Sequence, residues 1–162
     1  MVQNVAMGDE DSRDETKEER LDRKWDDLLQ ELRVMQTGAQ LTAGFLLTLP
    51  FQSTFGDLDD FAIALYLVLV ALAALTTALV MGPVAIHRLL SGRHVKERLV
   101  ESAHKFVYGV LTCIALLVTG MVTLIFDVVV DLTWALVAGA TIATVLTGLL
   151  VVYPRSLIHR AE

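Results

Sequence analysis

Four long runs of this chain contain no Asp, Glu, Lys, Arg or His: Val34–Phe51, Phe61–Ile86, Phe106–Phe126 and Leu132–Tyr153. No other feature limits the fold as severely. A helix rises about 1.5 Å per residue, so about 20 consecutive apolar residues cross the ~30 Å hydrocarbon core of a bilayer. A soluble bundle would show polar faces recurring every 3.6 residues, and these runs do not. The expected fold is all-α: an integral membrane four-helix bundle with spans at 34–54, 61–86, 106–126 and 132–153.

Charge gives the orientation. All 13 Lys and Arg fall in three places: before the first span, between the second and third, or after the fourth. The second of these places, residues 87–105, is a basic central loop, and the third is the short tail 154–162. The two remaining loops carry Asp57, Asp59, Asp60, Asp127 and Asp131 and no base. Basic loops stay cytoplasmic, so the expectation is a multi-pass protein of the cell (inner) membrane with both termini inside. Three or five spans would scatter the bases over both sides. Phe51, Phe55, Phe61, Phe126 and Trp134 then mark the outer boundary, and Phe106, Tyr108 and Tyr153 the inner one, where aromatic rings favour the headgroup zone.

The segment ahead of the first span divides in two. Residues 1–14 are acidic and poor in apolar side chains, which predicts a disordered tail and not a cleavable signal. Over residues 15–33, Leu21, Trp25, Leu28, Leu29 and Leu32 recur at helical spacing and predict a cytoplasmic amphipathic helix. Acids run through its middle, so attraction to anionic lipid is a weak reason for it. Packing on the central loop, on a second copy or on another protein explains the apolar face better.

Small and polar residues recur every four positions inside the spans, the spacing at which helices approach closely and hydrogen-bond across an interface. Gln36, Gln40, Gly44 and Thr48 share one face of the first span, with Thr37 beside them. Thr112, Ala115, Thr119 and Thr123 do so in the third, and Ala135, Gly139, Ala143 and Thr147 in the fourth. These stripes are expected to face the bundle or a second subunit. His87, Arg88, Glu101 and His104 form a candidate cluster at the inner edge. The single Cys113 lies within the third run and reads as a packing residue.

The stretches LLQELRVMQTGAQLTAGFLLTLPF, ALTTALVMGPVAIHRLLSGR and LVESAHKF resemble a family of small, uncharacterised four-span membrane proteins from actinobacteria and related bacteria. The matching positions are Gln36, Thr37, Gly38, Gln40, Pro83, Val84, Ala85, His87, Arg88 and His104. The resemblance covers about Leu21 to Val152 and implies a fold more than an activity. Some members carry an automatic sodium/proton antiporter label, and no transport residue follows from it.

Proton-coupled transport usually relies on an ionisable group at depth, and all four runs lack one. An oligomer lined by the Gln36 and Gln40 amides would remain as an ion-transporter or channel component. Haem between His87 and His104 would want those histidines deeper, so no cofactor and no metal is expected. No nucleophile–base pair or phosphate loop is present, so no enzyme is expected, and no nucleic-acid partner. The favoured reading is a structural or interaction module. It engages the bilayer and a second copy, or another membrane protein, through its cytoplasmic helix and loop.

Overall fold

A computed structural model describes residues 16–90 and 96–158, and every regular element among them is helical. Helix α1 runs from Lys17 to Thr48, α2 from Asp60 to Leu90, α3 from Lys96 to Val129 and α4 from Leu132 to Thr147. After α4 the chain takes one π-helical segment, Gly148–Val152, and a short α5, Tyr153–Ile158. The expected disordered tail, and residues 91–95 of the central loop, lie outside the described residues.

Helix α1 joins the charged lead segment to the first apolar run without interruption. Its start is fixed by a capping box: Glu19 N–H donates to Thr16 Oγ1 at 3.3 Å, and Thr16 N–H donates to Glu19 Oε2 at 2.8 Å. Between Lys17 and Thr48 the helix meets no proline, and Gly38 and Gly44 each cost only about 1 kcal/mol of propensity. It ends where Pro50 removes a backbone donor, and the chain tightens into 3₁₀ turns at Leu49–Phe51 and Ser53–Asp57.

The side of α1 that is buried follows a three–four alternation typical of helix seams. Trp25, Leu28, Leu32, Ala39 and Leu46 are buried, and Met35 and Ala43 are half-buried. Trp25 and Leu28 pack with Ile86 and Val107. Leu32 packs with Val80 and Val110. Leu46 packs with Tyr66, Leu69, Leu117 and Leu124. Moving along α1 therefore means moving down α2 and up α3. The helix lies antiparallel to α2 and parallel to α3 over their shared length.

Three helical segments are long and apolar enough to cross a membrane: Asp60–Ile86, Lys105–Val129 and Leu132–Ser156. The apolar part of α1, where the first span is expected, is not among them. Gln36, Gln40 and five threonines or glycines (Thr37, Gly38, Thr42, Gly44 and Thr48) dilute it, and the α-helix stops at Thr48 instead of continuing to residue 54.

The four helices do not close into a ring. Helices α1, α2 and α3 each touch the other two, whereas α4 packs on α3 alone. Only Ala135 and Gly139 of α4 are buried. A closed four-helix bundle would give every helix two neighbours, so the arrangement is a three-helix core with a fourth helix laid against α3. Small residues make that contact. A Cβ on Gly139 would strike Oγ1 of Thr123, and a Cβ on Gly82 would strike the Phe106 ring where α2 meets α3.

Candidate functional site

The stripe on α1 sets polar groups in an otherwise apolar stretch, where they need partners. Its depth follows from its neighbours in the seam. Gln36 and Gln40 fall between Leu32, at the level of Val80 and Val110, and Leu46, at the level of Leu69 and Leu117. Both glutamines therefore stand alongside the apolar lengths of α2 and α3.

The stripe turns away from the core. Thr37, Gln40, Gly44 and Thr48 are exposed and Gln36 is half-buried. A Cβ built on Gly38 or on Gly44 would meet nothing within 4 Å. The buried seam through Leu32, Ala39 and Leu46 runs alongside, with Gln36 half-buried at its margin, and from Gln40 to Thr48 the stripe winds away from it and is exposed.

The threonine hydroxyls on the stripe are already used. Thr37 Oγ1 donates to the Arg33 carbonyl at 3.0 Å, and Thr48 Oγ1 to the Phe45 carbonyl at 2.7 Å. No hydrogen bond of the Gln36 or Gln40 amide is found among the described residues. An amide left unpaired in an apolar medium costs several kcal/mol. Two such groups stand one turn apart, with Gly38 between them and Gly44 one turn beyond.

The stripes on α3 and α4 do meet each other. They touch near the start of α4, where Gly139 lies on Thr123, and separate toward its end. Burial falls along α4 in the same direction: Ala135 and Gly139 are buried, Ala143 is half-buried and Thr147 is exposed. The wedge between them is a groove of about 580 Å³ with Tyr108 and Arg155 among its lining residues. A second groove, about 620 Å³, opens between α1 and α3 toward their C-terminal ends and is almost wholly apolar, with Phe45, Leu49, Val118 and Ile125 on its walls.

The outer carboxylates have structural duties. Asp59 Oδ1 accepts from Ala62 N–H at 2.8 Å and caps α2. Asp131 Oδ1 accepts from Thr133 and Trp134 N–H at 2.8 and 3.1 Å and caps α4. Carboxylates suit helix N-termini, where unpaired N–H groups and the helix dipole both favour negative charge. Among the described residues no group of three or more His, Cys, Asp or Glu is placed to hold a metal.

Of the inner-edge cluster, Arg88 is exposed near the end of α2. His87 shares that helix, and Glu101 and His104 lie in the first turns of α3. The side chains of these three are outside the described residues. Cys113 is a free, buried thiol. At the far end of α1, hydrogen bonds from Thr16 hold the Glu19 carboxyl below the usual carboxylate range.

Sequence reasoning missed both grooves. The signal for the inner one was present, since the α3 and α4 stripes were visible separately. What no pattern of small residues shows is where two helices part. No curated protein and no solved structure matches the chain. One family model does, over residues 14–154, which takes in the capped lead helix, the α1 stripe and all of α2, α3 and α4. The chain therefore belongs to DUF6328, a family of unknown function.

Proposed function

We propose that this protein is a non-enzymatic interaction module of the inner membrane, with four crossings and both termini cytoplasmic, that assembles with a second copy or another membrane protein. The observation that carries the reading is the α1 stripe. It offers two amides with no hydrogen bond among the described residues, at the depth of α2 and α3, Gln40 exposed and Gln36 half-buried beside it. Lipid cannot satisfy an amide, and an amide on a facing helix can both donate and accept.

The four-crossing topology draws support from the seam. If α2 and α3 cross the bilayer, α1 from about Arg33 to Leu49 occupies the same depth beside them. Charge supports it as well. Were only α2, α3 and α4 to cross, the bases before Val34 and those after Tyr153 would lie on opposite sides.

The lead helix enters this proposal in altered form. Its apolar face is spent on Ile86 and Val107 of the same chain, so a cytoplasmic partner would meet its charged face, where Asp26, Asp27 and Glu31 are exposed. Deleting the helix would strip Trp25, Leu28 and Leu32 from the core, so point substitutions are the sound test. The wild-type chain extracted in mild detergent should run as an assembly by light scattering. Gln36→Leu/Gln40→Leu should lower its mass to that of the monomer while helicity by circular dichroism stays the same. An unchanged mass would sink the proposal.

The same two amides favour a second reading, an ion-transporter or channel component in which several copies place their stripes around a path. Cation flux in proteoliposomes that disappears in the same double variant would establish it. Assembly without flux would leave the interaction module standing.

A further inference from the structure

We propose that the wedge between α3 and α4 is a binding site for one anionic phospholipid, with its phosphate on Arg155 and one acyl chain in the groove. The proposal rests on the reading of α3 and α4 as membrane-crossing helices, and it does not depend on which side is inner.

The shape of the wedge comes from the contact at Gly139 and Thr123. From that point α3 and α4 part, and the small side chains of Ala115 and Ala143 leave a trough between them. Its volume, about 580 Å³, is that of a small-molecule site. Along α4 the lining runs from Ala143 to Arg155, and along α3 from Tyr108 to Thr119. At ~1.5 Å per residue both lengths are about 17 Å, close to the ~15 Å of one leaflet's hydrocarbon.

Polarity is graded along this length. In the trough, Thr112 Oγ1 donates to the Tyr108 carbonyl and Thr119 Oγ1 to the Ala115 carbonyl, each at 2.8 Å. Both of these hydroxyl protons are thus taken, and between the two threonines the walls are mostly aliphatic, with Thr147 and the Tyr108 ring toward the other end. The one charge in the lining is Arg155, in α5 beyond the end of α4, and the lining contains no carboxylate. Among the described residues Arg155 makes no ion pair. A guanidinium binds phosphate with two parallel hydrogen bonds, and cationic pockets between membrane helices suit anionic headgroups. An occupant with one negative end and a tail one leaflet long matches both ends of the groove.

The chain is irregular at this same place. Pro154 lacks the N–H that the Leu150 carbonyl would accept in α register, and its ring crowds that carbonyl. The helix widens to π register over Gly148–Val152, and Tyr153 N–H donates to Gly148 instead. Leu150, Val151, Pro154 and Arg155, all within or just after this widened turn, line the groove. Single π-helical turns concentrate at functional sites.

The test uses the full-length chain purified in a neutral detergent and native mass spectrometry. The probes are dioleoyl phosphatidylglycerol, dioleoyl phosphatidylcholine and inorganic phosphate. The wild-type protein should carry one phosphatidylglycerol per chain in about tenfold preference to phosphatidylcholine, the order of one charge-assisted hydrogen bond. It should carry no phosphate alone. Arg155→Gln, at an exposed site that does not threaten folding, should bring the preference close to one. Ala143→Phe should fill the trough and abolish retention of both lipids. Arg88→Gln, a base at the same end but off the groove, should change nothing. A preference unmoved by Arg155→Gln overturns the proposal. So does a groove variant that keeps its lipid, or one whose only effect is to split a dimer, which would make the wedge an interface between copies. Loss of the wild-type chain from carbonate-washed membranes would fail the membrane reading instead, and is read separately.

Discussion

Gly44 and Gly139 sit in the sequence in the same way, each within a run of small residues every four positions, yet the structure assigns them opposite consequences. Consider each changed to alanine. Replacing a helix-interior glycine gains about 1 kcal/mol of helix propensity. At Gly44 the new methyl meets nothing within 4 Å, so Gly44→Ala should stabilise the monomer by about that amount. At Gly139 the methyl falls on Thr123 Oγ1. That oxygen is held by its hydrogen bond to the Thr119 carbonyl at 2.9 Å. Its Cβ and Cγ2, at 3.5 and 3.8 Å from the same point, are in ordinary contact, so the oxygen alone obstructs. Either Thr123 rotates and gives up that hydrogen bond or the helices separate, at the roughly 1–3 kcal/mol typical of overpacking. The gain and the cost together leave Gly139→Ala between neutral and about 2 kcal/mol less stable than wild type. It should therefore lie about 1–3 kcal/mol below Gly44→Ala.

A double-mutant cycle separates this from a general intolerance of the site. Thr123→Ala removes the obstructing oxygen, so the Gly139→Ala/Thr123→Ala protein should recover most of the loss. The measurement is reversible unfolding in mixed micelles by circular dichroism, with Gly44→Ala measured in monomeric micelles, where subunit contacts do not contribute. Equal stabilities for Gly139→Ala and Gly44→Ala would refute the close approach of α4 to α3. So would a Thr123→Ala background in which Gly139→Ala costs as much as before.

Three other outcomes follow from named contacts. Leu32, only 2% exposed between Val80 and Val110, should cost about 2–3 kcal/mol as Leu32→Ala, near the low end of the soluble range because lipid weakens the transfer part; the same unfolding assay reads it. Asp131→Ala removes the acceptor for two N–H groups at the start of α4 and should cost about 1 kcal/mol, with faster amide exchange confined to Thr133 and Trp134. Glu19 has its folded pKa lowered by hydrogen bonds from Thr16, so its contribution is full above the ordinary carboxylate pKa and fades as pH falls through the lower folded value. Amide exchange at the first turn of α1, corrected for intrinsic rate, should rise over that acidic window, and in Thr16→Ala this added pH dependence should vanish.

How much of this was legible in the sequence depends on which feature leaves a periodic trace. The apolar runs of α2, α3 and α4 do, and so does the face Leu21–Leu32 of the lead helix. Whether a stripe is inside or outside does not. Gln36/Gln40/Gly44/Thr48 and Ala135/Gly139/Ala143/Thr147 share a spacing, and only the second packs on a neighbour. In water a polar stripe would have marked the solvent side, but in lipid both stripe types favour protein contact, so hydropathy loses its power to tell faces apart. The buried side of α1 was still written in the chain as Trp25, Leu28, Leu32, Met35, Ala39 and Leu46. That alternation continues through the junction with the apolar run, and following it past Arg33 shows one helix where two segments were expected. The divergence of α4 left a weaker trace, Pro154 after a glycine, because the angle between two helices is set by several side chains at once.

The continuity of α1 also bears on what the two amides can do. Thirty-two residues in one helix, tied to α2 and α3 from Trp25 to Leu46, cannot rotate its stripe inward without pulling the whole seam out of the core. Leu32 and Leu46 are nearly inaccessible, so such a rotation would expose both and lose the packing of three clusters together. A hinge at Gly38 would be needed to turn the stripe alone, and Ala39 is buried in the next position. The amides are therefore held where they are by the seam beside them, Gln40 exposed and Gln36 half-buried at its margin, and turning both inward within one chain would take Leu32 and Leu46 out of the core.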